Sequence, residues 1–459
     1  MFEATLSIDL GASYTKVAYR PTCIPENLGT IQEEAKVLMI DNSPLIPSLA
    51  IQSHSGTQQW FFGRIAAGMK PNHQMQVFQN WKANLFGAQN DKDSAKSVII
   101  AHRFFEWLRM KLESMGIDVT HCQTRIAMPA FDTFDENANL LARCMDLSGW
   151  NNPMLILKVR EPHANAIGLF TKGKNAVMRN GIGRIAPNYG AMFEQANPYL
   201  QAERRFPLAG GNLFTVMVVD IGAFTTDLAK LTFDFTTSAD GLQMIRQESY
   251  ALGVINDLDK PLFQAIGQSH GFSWNGHSFF ETEDCKRNLY QNLAYPLQTN
   301  VKGSLVTLEL GTEEDQKLIT SSTQQFAADV WDKIAVFSKN EVPSHLYITG
   351  GGSLIKEVAE KLRASIIGSG MRLVSIDNGE GANGTEALRS WSHTGENLQR
   401  LATAIGGASV IFQEAAAPIQ QCWTGLQDRL IAQAPIGYKT CRCHGGNKDC
   451  CFCNGRGFC

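Results

Sequence analysis

No stretch of this sequence approaches the roughly 18 consecutive apolar residues that a membrane-spanning helix needs. The opening residues, MFEATLSIDL, carry an acid near the start and run directly into a strand pattern, which is not how a secretory leader begins. Excess charge is also missing: 41 Lys+Arg face 44 Asp+Glu, a formal net charge of −3. Nucleic-acid binding driven by bulk charge is thereby excluded, although a local basic patch is not. The phosphate-binding pattern GxxxxGK[ST] is absent, so the chain is not an ordinary P-loop nucleotidase. With 44% hydrophobic and 19% charged residues it is not a disordered chain either. The expectation is a soluble cytoplasmic protein of 459 residues, too long for one core and divided into about three units.

Cysteine is sparse except at one end. Of 11 cysteines, Cys23, Cys122, Cys144, Cys285 and Cys422 stand alone, which in a reducing compartment reads as buried small apolar side chains. Cys441, Cys443, Cys450, Cys451, Cys453 and Cys459 crowd into the terminal segment CRCHGGNKDCCFCNGRGFC. A cluster of this kind reads as a metal site before it reads as disulfides.

Strand and helix patterns alternate along the rest. Strand-like sequence covers 5–20, 36–51 and 59–62, and helical spacing of Val98, Phe105, Leu108 and Leu112 predicts a helix over 94–115. A strand over 124–128, a helix over 135–148, a strand over 154–159 and a helix over 161–170 follow. The apolar run at 213–222 opens a second set, which includes a strand–helix passage at 344–362 and a closing helix at 401–412. The organisation expected is a first lobe over 1–170, a basic Gly/Pro-rich insertion over 171–214, a second lobe over 215–412, a linker helix over 413–435 and the cysteine tail over 436–459. The insertion has no clear periodicity, and a surface loop without function is as acceptable a reading of it as a functional one.

Three apolar strands end in glycine turns: SIDLGASYTK at 7–16, VMVVDIGAFTTD at 216–227 and LYITGGGS at 346–353. Glycine admits positive φ and lets backbone N–H groups approach a phosphate, and Ser or Thr hydroxyls add donors. A carboxylate at the end of each of the first two strands, Asp9 and Asp220, suits Mg²⁺ held through water. One such turn is commonly just a tight connection between strand and helix. The repetition points instead to two related lobes facing one ligand.

In these motifs the chain resembles the nucleotide-binding domain of the 70-kDa heat-shock chaperones, within the actin, hexokinase and heat-shock ATPase superfamily. Asp9, Gly11, Ala12, Ser13 and Tyr14 resemble the first phosphate motif, and Asp220 through Gly222, Ala223, Thr225, Thr226 and Asp227 the second. Gly350, Gly351, Gly352 and Ser353 resemble the adenosine motif. LIPSLAI at 45–51, RIAMPAF at 125–131, Glu161-Pro162 with Ala164 and Ala166, Glu283, Lys286 and Arg287 in ETEDCKRNL, and LATAIGGASVI at 401–411 complete the ordered set. The match spans roughly 1–412 apart from the insertion.

The resemblance implies a two-lobed, actin-like α/β fold built from duplicated ribonuclease-H-like lobes, binding ATP or ADP with Mg²⁺. It implies that Asp9 and Asp220 surround the hydrated metal, that Glu161 holds water, and that Thr225 with Ser13 and Tyr14 donates to phosphate. It also implies that Glu283, Lys286 and Arg287 grip adenosine. Lys82 stands where it could neutralise charge on the terminal phosphate, and equally where a solvated surface lysine would stand. Glu161 is also a suitable first-turn acid ahead of Pro162 in a helix. Two positions depart from the family: bulky Phe224 in a turn usually kept small, and Leu354 in place of an arginine beside adenine. The peptide-clamping half of such chaperones has no counterpart after Phe412.

The tail segment from Cys450 to Gly457 fits CxxCxGxG and is similar to half of the zinc repeat of J-domain co-chaperones. Cys441, Cys443, Cys450 and Cys453 form the expected Zn²⁺ set, with His444, Cys451 and Cys459 as competing ligands and redox or iron–sulfur chemistry as the alternative. A segment this short needs metal to fold, and its basic balance suits docking onto a protein or nucleic acid. The function expected is an ATP-hydrolysing switch that signals to a protein partner through insertion and tail. The alternative is a nucleotide-holding scaffold or filament component. A small-molecule kinase is disfavoured because no separate substrate motif is visible.

Overall fold

The computed structural model describes residues 4–21, 35–54, 59–69, 72–86, 91–150, 156–170, 213–234, 242–271, 290, 296–301, 304–309, 312–339, 343, 345–367, 369, 371–375 and 398–408. Its first sheet begins with an antiparallel hairpin, β1 (Ala4–Asp9) and β2 (Tyr14–Pro21), which sets Asp9 opposite Lys16. β3 (Lys36–Val37) and β4 (Ile46–Pro47) pair with β2. A separate small sheet has β5 (Ala50–Ser53) between β6 (Gln59–Phe62) and β7 (Met75–Phe78). β8 (Cys122–Met128) and β9 (Ile156–Arg160) then join β1 in parallel, giving the order β3-β2-β1-β8-β9.

The second sheet repeats this plan. β10 (Leu213–Ile221) and β11 (Thr226–Asp234) form a hairpin that sets Asp220 opposite Asp227, and β12 (Leu242–Tyr250) continues it antiparallel. After a two-stranded ribbon, β13 (Pro296–Val301) with β14 (Ser304–Glu309), β15 (His345–Thr349) and β16 (Arg372–Ser375) add in parallel. The order is β12-β11-β10-β15-β16, strand for strand that of the first sheet. Among the described residues the chain is thus a mixed α/β fold with several sheets and no closed barrel.

The helices are α1 (Gly63–Gly68), α2 (Trp81–Phe86), α3 (Asp91–Ser114), α4 (Phe134–Leu147), α5 (Glu161–Phe170), α6 (Lys260–Ser269), α7 (Glu313–Ser338), α8 (Lys356–Ile366) and α9 (Leu398–Ala408). α7 shows why such segments form. Thr312 caps its start by accepting from the Asp315 amide at 3.1 Å, and Glu313, Glu314 and Asp315 place negative charge in the first turn. Its buried stripe, Ile319, Phe326, Val330, Ile334 and Phe337, then recurs at helical spacing. Among the described residues no helix is long and apolar enough to cross a membrane.

Three large cores result. One joins the outer face of the first sheet to α2, α3 and α4 through Leu6, Ile8, Trp81, Phe104, Phe105 and Leu141. Another joins the second sheet to α6, α7 and α8 through Met217, Val219, Phe263, Phe326 and Leu362. The third contains Ala166 and Leu169 of α5, Leu401, Ala402 and Ile405 of α9, and Val216, Val218 and Tyr347 of the second sheet. β10 is therefore buried on both faces, which explains its unbroken apolar run.

α5 and α9 cross at backbone contact. A Cβ on Gly168 would lie 1.8 Å from the Ala402 carbonyl oxygen, and one on Gly406 1.8 Å from that of Ala164. Two buried arginines from the first sheet receive the end of α9. Arg20 donates to the Ala408 carbonyl at 2.7 Å and Arg125 to the Gly407 carbonyl at 2.9 Å, satisfying acceptors at the negative end of the helix dipole. Burial lowers the Arg125 pKa to about 10, which leaves it charged at neutral pH.

Candidate functional site

Because both hairpins end on the same side, their turns face one another across a cavity of about 260 Å³. The first hairpin contributes Asp9, Gly11, Ala12, Ser13, Tyr14 and Lys16, the second Asp220, Gly222, Ala223, Phe224, Thr225 and Asp227. Gly350, Gly351, Gly352 and Leu354 close a third side, and Lys82, Glu161, Tyr290, Arg400 and Thr403, with Val254 and Ile355, line the remainder. Neighbouring segments brace the turns. Ser48, in the LIPSLAI segment, donates through its hydroxyl to the Gly11 carbonyl at 2.6 Å and through its amide to the Ser13 carbonyl at 2.8 Å. Gly350 has φ of 84°, and a Cβ there would sit 2.1 Å from Asp220 Oδ1, so only glycine brings this turn against the aspartate.

Charge at the cavity is arranged in pairs. Lys16 Nζ lies 2.9 Å from Asp9 Oδ2, and Lys82 Nζ lies 2.5 Å from Glu161 Oε1. Lys82 is only 3% exposed, so the solvated-lysine reading is corrected: α2 carries it inward to the cavity. Thr225 donates to Asp227 Oδ2 at 2.9 Å, Ser249 donates to Asp227 Oδ1, and the Ala130 amide donates to Ser249 at 2.6 Å. Asp220 Oδ2 accepts from Asn165 at 2.6 Å and, more weakly, from Thr403 at 3.4 Å.

Burial raises the pKa of three of these carboxyls. Asp220 is pushed up to about 7, with Asp9 and Glu161 adding to the rise and Lys16 opposing it. Asp227 is raised well above the ordinary carboxylate range by burial and by the Glu161 and Asp220 charges, against the Ser249 and Thr225 hydrogen bonds. Burial also raises Glu161, which Lys82 opposes and Asp9 reinforces. Carboxyls held this way bind a proton readily when no cation faces them, and would give it up to an entering cation.

Two residues expected to face the ligand do not. Thr226 begins β11, so strand alternation turns Thr225 and Asp227 toward the cavity and Thr226 away, where its hydroxyl donates to the Leu252 carbonyl at 2.8 Å. The Ser353 hydroxyl folds back onto the Gly350 carbonyl at 2.7 Å and closes the turn. Phe224 shows how a bulky residue fits beside a tight turn: its ring leaves the turn and meets Phe131 edge to face, 6.1 Å between centroids, against the core of the first sheet. Glu283, Lys286 and Arg287, the insertion up to residue 212, the linker helix expected over 413–435 and all of Cys441, Cys443, Cys450 and Cys453 lie outside the described residues.

Sequence reasoning singles out neither Lys16, Asn165, Arg400, Thr403 nor Tyr290, and gives Asp227 no role. Lys16 and Asp227 could have been found, because each lies on the same side of its hairpin as the preceding aspartate, at the same interval. Asn165 and Thr403 carry no comparable signal among the alanines and glycines of their helices. No protein-family model matches the chain, and no curated protein matches it.

Proposed function

We propose that the chain is a two-lobed, actin-like ATPase of the heat-shock type, an ATP-hydrolysing switch that passes its nucleotide state to a protein partner. The observation that carries this reading is the convergence of three glycine turns and four carboxyls, Asp9, Glu161, Asp220 and Asp227, on one cavity between two sheets of identical strand order. The duplicated order is what duplicated ribonuclease-H-like lobes require. It also makes the cavity a site where relative movement of the two halves is felt by a ligand.

The residues fit a nucleotide carried with Mg²⁺. The donors they present to the cavity are hard carboxylate oxygens, beside hydroxyl and backbone N–H groups of the turns. That combination suits a cation held partly by water and by phosphate. When bound, Mg²⁺ supplies positive charge against which the transferred phosphoryl group is stabilised. Asp9 and Asp220 would orient its water shell. Glu161, held by Lys82, would orient the attacking water and accept its proton through hydrogen bonding. Lys16 and Lys82 would face the phosphates, with donors from the turn at Gly11–Tyr14 and the Thr225 hydroxyl.

Phosphate release from Mg–ATP by the full chain tests the reading: a turnover that Asp220→Ala and Asp9→Ala each cut severely is expected. A second reading, a scaffold or filament component that holds nucleotide without hydrolysing it, is favoured by one feature. The Phe224–Phe131 contact places an aromatic clasp beside the cavity where the family keeps space. Nucleotide binding with no phosphate release above background would select it. The tail would bind one Zn²⁺ through Cys441, Cys443, Cys450 and Cys453 and serve docking to a protein, with nucleic acid as the other possible contact for its basic surface. The expected setting is the cytoplasm.

A further inference from the structure

α5 and α9 are built almost wholly from small and apolar residues where they cross, yet each buries one polar side chain at the crossing. Asn165 of α5 is 1% exposed and Thr403 of α9 is 5% exposed. The Asn165 amide nitrogen donates to Asp220 Oδ2 at 2.6 Å and to Thr403 Oγ1 at 3.1 Å, and Thr403 Oγ1 in turn donates to the same Asp220 oxygen at 3.4 Å. The three side chains close a ring of hydrogen bonds in which every donor is aimed by its neighbour.

The amide orientation is fixed by charge. With Asp220 ionised, turning Asn165 over would press its carbonyl oxygen against the carboxylate, so the nitrogen faces Asp220. The consequence is that Asn165 Oδ1 is buried with no hydrogen-bond partner among the described residues. An orphaned buried acceptor is unfavourable, and an alanine at this position, as at Ala164 and Ala166 beside it, would avoid it. What the asparagine supplies in return is a fixed Asp220.

We propose that Asn165 and Thr403 are positioning residues for Asp220. One donor from each crossing helix holds Oδ2, so that Oδ1 stays directed to the Gly350 side of the cavity. The crossing is close-packed, since the helix backbones touch at Gly168 and Gly406. A sliding of α5 against α9 would therefore break the ring and release the carboxylate, which couples the relation of the two helices to the charge geometry of the cavity. The inference rests on the nucleotide reading above, and neither residue touches the reacting atoms.

The test measures ADP binding to the full chain by calorimetry, with and without Mg²⁺, together with the hydrolysis rate at saturating ATP, for Asn165→Ala, Thr403→Val and Thr403→Ser. Asn165→Ala and Thr403→Val are expected to lose about tenfold of the Mg²⁺-dependent gain in ADP affinity and about tenfold in hydrolysis, with Mg²⁺-free ADP affinity unchanged within about twofold. Thr403→Ser keeps the hydroxyl and should behave as the wild type. The inference is overturned if the Mg²⁺-dependent gain is intact in both damaging variants, if Mg²⁺-free affinity falls in parallel, or if Ser rescues nothing. A wild-type chain that binds no ADP at all would instead remove the nucleotide reading, and this inference with it.

Discussion

Lys82→Met should expose how much the buried ion pair holds the site together, and the sign of its pH dependence follows from the structure. Lys82 and Glu161 are both nearly inaccessible, at 3% and 6% exposure, with their charged atoms 2.5 Å apart. Removing one member of such a pair strands the other, which costs about 3–5 kcal/mol. The stranded group here is Glu161, whose pKa burial already raises even with Lys82 beside it. Without the lysine it rises further. A carboxyl whose folded-state pKa lies above its unfolded value contributes stability below the unfolded pKa and loses it as pH rises through the folded one. The stranded Glu161 therefore holds its proton to higher pH than an ordinary carboxyl, and the variant should lose less stability at pH 5 than at pH 8. At pH 8 the loss should approach the full figure of about 3–5 kcal/mol. Urea denaturation of the nucleotide-free protein at the two pH values measures both. The double variant Lys82→Met/Glu161→Gln should recover most of the pH 8 loss, since it removes the unpaired charge. Equal losses at pH 5 and pH 8, or no loss at pH 8, would refute the reasoning, because they would mean that water reaches and screens the pair.

Three further outcomes are expected. Asp220, raised to about 7, should make the nucleotide-free protein less stable as pH climbs from about 4 to about 7, and Asp220→Asn should flatten that decline in thermal melts. The effect is moderate because the side chain borders the cavity. Gly406→Ala forces apart helix backbones that touch, so it should cost at least about 1–3 kcal/mol in a denaturant titration; a neutral result would show that the α5–α9 crossing can open. Elemental analysis should find one zinc per chain, lost with Cys441→Ser or Cys453→Ser and with chelator, while iron or no metal would contradict the thiolate site.

The sequence carries the fold unevenly, for physical reasons that can be named. Helices and strands with long apolar patterns are legible: α3 because burial of one face imposes a helical period, and β10 because burial of both faces leaves an unbroken apolar run. So are the turns at Gly11, Gly222 and Gly350, where a Cβ would lie 2.0, 2.9 and 2.1 Å from neighbouring atoms and glycine alone fits without a shift. The pairing of Lys82 with Glu161 is not legible, because 79 positions separate them and a lysine pattern does not reveal which helix face turns inward. Thr226 is legible only once the turn is known to end at Thr225, because strand alternation then points it away from the cavity. Phe224 misleads by size: its bulk counts against a tight loop only until Phe131 is known to receive the ring. Asn165 and Thr403 are invisible as partners, since their meaning arises only when two helices distant in sequence come into contact at Gly168 and Gly406.

The claim on which the rest depends is that the cavity between the two hairpin turns takes a nucleotide with Mg²⁺. Calorimetric titration of the wild-type chain with ATP in the presence of Mg²⁺ tests it directly. The account predicts saturable binding at one site per chain, weakened in Asp220→Ala. No heat of binding at millimolar nucleotide, or binding that Asp220→Ala leaves untouched, would contradict it.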